Sequence, residues 1–135
     1  MIDAIIVGLK RDEGLRLKPY RCSAGKLTIG YGRNLEDVGI TEAEAEILLE
    51  HDIRRSLADL DRALPWWRGL PAPQQRGLIN MRFNLGLTRL LGFKKMLAAL
   101  QAGNGKLASE EALSSKWADQ VGARARRIAA LYRRD

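Results

Sequence analysis

Apolar residues recur at helical spacing near both ends of this chain and alternate with polar ones only between residues 15 and 32. Ile2, Ile5, Ile6 and Leu9 fall on one face of a helix predicted over residues 3–12, with Asp3 as its N-cap. Glu13 follows Leu9 by four residues and continues that stripe, and Gly14 is the residue type at which helices commonly stop. A carboxylate on a core-facing stripe loses hydration, so Glu13 is expected to have a raised pKa, as a general acid near neutral pH requires. Leu15-Arg16-Leu17-Lys18 then alternates like a half-exposed strand, which Pro19 confines to a sheet edge or a strand end. Ser23-Ala24-Gly25 is a turn, and Leu27-Thr28-Ile29-Gly30-Tyr31-Gly32 returns as a second strand. The region is a small antiparallel hairpin or meander in which Gly30 and Gly32 allow close approach of a substrate or another backbone.

Residues 33–40 read as a loop. Thr41-Glu42-Ala43-Glu44 has the form of a capping box, and the helix it opens runs to Leu64 on the spacing of Ile53, Leu57, Leu60 and Leu64, with Pro65 as its stop. About 22 residues at 1.5 Å per residue span roughly 33 Å, more than a small lobe needs for its own core. This helix is therefore read as a strut joining an N-terminal lobe to a helical C-terminal lobe. Trp66 and Trp67 sit in a Pro-punctuated linker and are assigned to a helix corner in preference to stacking on a sugar. A helix over 74–85 follows from Leu78, Met81 and Leu85, with Gly86 as its stop. Asn80 and Asn84 share one of its faces, either lining a cleft or solvated. Residues 88–92 form a short turn or helix, Phe93, Met96, Leu97 and Leu100 mark a helix ending by Gly103, and residues 107–117 form another. The last helix, 123–134, carries Ile128, Leu131 and Tyr132 on one face and five arginines mostly on others. The fold class is α+β.

The composition, 46% hydrophobic and 29% charged over 135 residues, is that of one soluble core. No apolar run approaches the roughly 20 residues that cross a bilayer. The first residues lack a basic stretch, so no signal peptide is expected and the chain should begin in the cytoplasm. Cys22 is the only cysteine, which excludes an intrachain disulfide and a cysteine-based zinc site, and the single His51 reads as a helix-surface residue. No cofactor and no metal are expected. With 23 Lys and Arg against 16 Asp and Glu, the net charge of +7 calls for a polyanionic surface: nucleic acid, anionic membrane and cell wall all fit. The basic last helix is either a solvated face or a weak anionic-membrane contact.

Glu13, Cys22 and Thr28 place a carboxyl, a thiol and a hydroxyl within sixteen residues. Cysteine nucleophile catalysis wants a nearby histidine, which is absent. Phosphate binding wants glycines that lead straight into a helix, and here they lead into a loop. Glycoside hydrolysis wants a protonated carboxyl for the leaving oxygen and groups that hold water, roles that Glu13 and the Cys22/Thr28 pair can divide.

Glu13, eight residues, Cys22, five residues, Thr28, set within Glu-Gly-Leu-Arg-Leu-Lys-Pro-Tyr and Leu-Thr-Ile-Gly-Tyr-Gly, resembles the active-site signature of the phage-type lysozymes, glycoside hydrolase family 24. Thr-Glu-Ala-Glu-Ala-Glu at 41–46, Asn80-Met81-Arg82-Phe83-Asn84-Leu85-Gly86, Gly92-Phe93, Ser115-Lys116-Trp117 and Arg124-Ala125-Arg126-Arg127-Ile128 are similar in turn, so the likeness covers nearly the whole chain. It implies a lysozyme-like fold: a small β-containing lobe over about 13–48, a connecting helix over about 42–64, and a helical lobe over about 65–135 on which helix 3–12 packs. It implies a monomeric muramidase that cuts the β-1,4 bond between N-acetylmuramic acid and N-acetylglucosamine of bacterial peptidoglycan. Such an endolysin binds no nucleic acid, inserts in no membrane, and waits in the host cytoplasm until the membrane is breached. By the same resemblance Glu13 is the general acid, Thr28 positions water, and Cys22 stands where the family has Asp or Cys. Arg124 pairs with the acid, and Phe83 and Asn84 line the cleft. Arg33 stands where some members have histidine, in a loop shorter than in larger members. An unperturbed cysteine titrates near ~8.5, so Cys22 is expected to resist ionisation beside Glu13 and to be a poor base.

Overall fold

A computed structural model describes residues 1–134. They form two compact units, Met1–Leu48 and Leu49 onward. The first holds α1 (Ile2–Glu13), β1 (Arg16–Arg21), β2 (Leu27–Gly30), β3 (Arg33–Asn34) and the start of α2 (Glu42–Ala63). The second holds the rest of α2 and then α3 (Ala72–Leu85), α4 (Leu87–Leu91), α5 (Lys94–Gln101), α6 (Gly105–Leu113), α7 (Lys116–Val121) and α8 (Ala123–Arg133). Helices with one small antiparallel sheet make the α+β, lysozyme-like class expected from the sequence.

In the first unit the strands pair in sequence order, β1 to β2 to β3, with β1 at an edge. Pro19 lies in that edge strand, where its missing N–H breaks no inner ladder. β3 was not expected: two residues carry no periodicity, and Arg33 and Asn34 become a strand only by pairing with Ile29 and Thr28. Helix α1 starts one residue earlier than predicted and has no side-chain cap, so Asp3 lies inside its first turn and is not the N-cap. None of its residues is buried, and Ile2, Ile5, Ile6 and Leu9 are all exposed. Glu13, at the end of that stripe, is likewise exposed.

The capping box is formed in full. The Glu44 N–H donates to Thr41 Oγ1 at 3.1 Å and the Thr41 N–H to Glu44 Oε1 at 2.9 Å, a pattern that stabilises a helix end by about 1 kcal/mol. Both oxygens of the same carboxylate accept from the Arg33 guanidinium at 2.8 Å. The Arg33 fork and then the Thr41 N–H hold the Glu44 pKa down to about 2, from an ordinary 4.5. A lowered carboxylate pKa adds stability that is complete above about pH 4.5 and is lost as pH falls through about 2. Glu44→Gln should thus melt below the parent at pH 7, with the gap closing between those two values. Melting curves across the range check this, and a gap independent of pH would show that the ion pair contributes nothing.

The second unit is built around Leu60, Leu78, Met81, Leu90, Met96, Leu100, Ile128 and Tyr132, each fully buried. At roughly 1.5–3 kcal/mol per large apolar side chain, this cluster is the main stabilising term. Trp67 is buried and its indole N–H donates to Asp61 Oδ1 at 2.8 Å, so it packs at a helix corner as expected. Asp59 on α2 accepts from Arg82 on α3 at 2.6 and 3.0 Å, joining those helices. The single helix expected over 107–117 is two. Asn104 caps α6 by accepting from the Leu107 N–H, and Ser115 caps α7 by accepting from the Ala118 N–H.

Candidate active site

The turn between β1 and β2 is closed by the Cys22 N–H on the Lys26 carbonyl, 2.9 Å, and the Gly25 N–H on the Cys22 carbonyl, 2.8 Å. Closing it this way points the amide N–H groups of Lys26 and Ala24 at the Cys22 sulfur. Lys26 first, then Ala24, hold the thiol below its ordinary pKa, against partial burial that raises it. The turn thus eases ionisation at Cys22, where the sequence leads one to expect a thiol that resists it. Amide dipoles aimed at the sulfur favour the thiolate, whatever carboxylates lie in the same sequence stretch. Thr28, on β2, is 3% exposed, and its Oγ1 donates to the Lys26 carbonyl at 2.8 Å. With its proton committed there, the hydroxyl keeps its lone pairs as acceptors. Cys22 is half-buried and Thr28 lies behind it.

Glu13 is the last residue of α1, and its side chain runs across Gly32 in the turn between β2 and β3. A Cβ placed on Gly32 would lie 2.7 Å from Glu13 Oε2, 2.9 Å from Cδ and 3.3 Å from Cγ. The sequence marks Gly32 as a place of close approach, and the group that approaches is the chain's own carboxyl. What sequence reasoning missed is therefore backbone, the amides of Ala24 and Lys26 beside Cys22, and the identity of the group that lies on Gly32.

In the second unit, Arg124 on α8 donates through Nε to Asn80 Oδ1 on α3 at 2.9 Å. Asn80, Phe83 and Arg124 line a mostly apolar cavity of about 300 Å³ with Leu49, Ile53 and Ile79. Phe83 keeps 41% of its surface exposed, an aromatic face open to a ligand. Asn84 does other work: its Oδ1 accepts from the buried Trp117 indole N–H at 2.7 Å, tying α3 to α7. Asn80 and Asn84 thus share a helix face without sharing a role. A larger cavity of about 570 Å³, lined by Arg89, Lys94, Lys95 and Glu111 among others, contains none of the candidate catalytic or binding residues, though Gly92, Phe93 and Ser115 border it.

The chain's charge is unevenly divided. Residues 1–48 hold seven Lys and Arg against eight Asp and Glu, and residues 49–134 hold sixteen against seven, so the whole basic excess lies in the helical unit. His51 is on the surface of α2. Among the described residues no group of three or more His, Cys, Asp or Glu could hold a metal ion, and no helix is long and apolar enough to cross a membrane.

The sequence profile of the phage lysozyme family matches residues 10–135. The chain is 36% identical over 118 residues to an endolysin of Acyrthosiphon pisum secondary endosymbiont phage 1, covering 83% of this chain and 75% of that protein. It is 31% identical over 148 residues to the pre-baseplate central spike protein Gp5 of Enterobacteria phage T4, covering 89% of this chain and 26% of that protein. To a probable T4-type lysozyme 1 of Dictyostelium discoideum it is 27% identical over 157 residues, covering 95% and 92%. The chain thus spans about a quarter of the spike protein and three quarters or more of the other two.

Proposed function

The chain belongs to the phage lysozyme family, and from that premise we propose that it is a muramidase hydrolysing the β-1,4 bond between N-acetylmuramic acid and N-acetylglucosamine of bacterial peptidoglycan. Glu13 gives its proton to the leaving glycosidic oxygen as the C1–O bond breaks. Water held by Cys22, with Thr28 behind it, adds at C1 and gives its proton to the sulfur. Attack from the face opposite the leaving group inverts the anomeric carbon. Phe83, Asn84 and Arg124 belong to substrate binding, Phe83 by its open ring and Asn84 by fixing Trp117. Acting as an endolysin, the protein reaches the wall from inside the host once the membrane is breached. Its basic helical unit favours that anionic surface.

The observation that carries this reading is the grouping in one small unit of the Glu13 carboxyl across Gly32 with Cys22 and the Thr28 hydroxyl on the same sheet. A lytic transglycosylase cleaves the same bond without water and needs no water-holding group. Mass spectrometry of the muropeptides released from purified peptidoglycan separates the two. Hydrolysis should leave reducing N-acetylmuramic acid ends, and 1,6-anhydro ends would overturn it.

A further inference from the structure

Resting on the reading of Glu13 as the acid, we propose that Gly32 and Arg33 are positioning residues that seat its carboxyl for proton transfer. Within the first unit Glu13 makes no hydrogen bond or ion pair, and the surface its side chain packs against there is the Cα of Gly32. Any larger residue there would meet Oε2 and Cδ at less than 3.0 Å, and a φ of +75° disfavours a side chain independently.

The seat is held from both sides. Tyr31, preceding Gly32, lies under Lys10 Nζ, 5.3 Å from the ring centroid, and Lys10 is three residues before Glu13 on α1. The end of α1 thus touches the turn at two successive residues, Tyr31 and Gly32. Following Gly32, Arg33 forks onto Glu44 with both contacts at 2.8 Å and also donates to the Gly39 carbonyl at 3.2 Å. Glu44 is fixed by its capping box at the start of α2, so the Arg33 fork anchors the turn to a helix end. Arg33 pairs with Ile29 in the same ladder in which Asn34 pairs with Thr28. Glu13's seat and the Cys22/Thr28 pair are therefore parts of one sheet, and a shift of the turn moves the acid relative to the water site. A displacement of about 1 Å at reacting atoms can cost 100-fold in rate.

The test compares kcat and KM on soluble glycan chains for Gly32→Ala, Gly103→Ala, Arg33→Gln and Arg33→Lys. Gly103 has a φ of +79° with no heavy atom within 4 Å of where a Cβ would stand, so Gly103→Ala imposes the backbone strain without the carboxyl clash. Gly32→Ala should lower kcat about 100-fold with KM within about twofold, while Gly103→Ala lowers the melting temperature and keeps the parent kcat. Arg33→Gln should lower kcat about tenfold, well below its melting temperature, with partial recovery in Arg33→Lys. A parent-like kcat in Gly32→Ala, or a loss confined to KM, would overturn the proposal. If Gly32→Ala does not fold, Arg33→Gln decides: reduced kcat supports the seat and unchanged kcat removes it. Glu13→Gln separates the two levels. If Glu13→Gln is as active as the parent, the acid assignment itself fails; if it is inactive while Gly32→Ala and Arg33→Gln keep the parent kcat, only the seat fails.

Discussion

Glu13→Gln should lower peptidoglycan cleavage by about 1,000-fold or more and leave the fold intact. A general acid contributes about 100- to 10,000-fold by protonating the leaving group, and an amide of the same shape has no proton to give. The substitution changes almost nothing else. Glu13 is exposed and makes no hydrogen bond or ion pair within its own unit, and glutamine can lie across Gly32 in the same way. An exposed change of this kind alters stability by about 0.5 kcal/mol or less, so an unshifted melting curve beside lost activity identifies chemistry as the cause. The assay is the rate of clearing of permeabilised cells together with reducing ends released from purified wall. Clearing at the parent rate would mean that lysis comes from the basic surface of the helical unit and not from hydrolysis. Cys22→Ala should fall between parent and Glu13→Gln, because Thr28 still accepts from water, and Cys22→Asp should stay active, because a carboxylate can accept from the same two amides. Equal losses at Glu13 and Cys22 would contradict this ranking.

Most of the helices were legible because their signals are local. The Thr41–Glu44 box, the stripe through Leu57, Leu60 and Leu64, and the apolar faces of α3, α5 and α8 all appear where their spacing places them. The break between α6 and α7 was missed although Ser115, just before Lys116, is a good N-cap residue. β3 had no signal of its own, because its identity as a strand lies in its partners. At the candidate site, the residue types in the Glu13–Cys22–Thr28 spacing were readable, and their physical settings were not. Hydrophobic periodicity predicted burial for Glu13, and the structure supplies an exposed carboxyl laid on a glycine. Reference titration predicted an inert thiol at Cys22. The turn supplies two amides that no side-chain pattern encodes.

Gly105→Ala should be the most destabilising single-methyl change in the chain, costing about 3 kcal/mol and lowering the melting temperature by about 10 °C. Helix propensity alone argues the reverse, since alanine is favoured over glycine within a helix by about 1 kcal/mol. The packing decides the sign. A Cβ on Gly105 would overlap the Tyr132 carbonyl oxygen and lie 2.8 Å from Gln74 Nε2. Those two atoms are hydrogen-bonded to each other at 3.0 Å, so neither can withdraw without breaking a buried bond between α3 and α8. Gly77→Ala makes a useful comparison, because its Cβ would meet the edge of the Tyr132 ring at 2.6 Å, a side chain and not a backbone atom. That ring is itself fully buried, with its hydroxyl 3.4 Å from Met81 Sδ, so the loss should be smaller but still about 2 kcal/mol. Thermal melts of the two variants test the order. A Gly105→Ala protein that melts at or above the parent temperature would show that α6 does not close against the Gln74–Tyr132 bond and that propensity prevails.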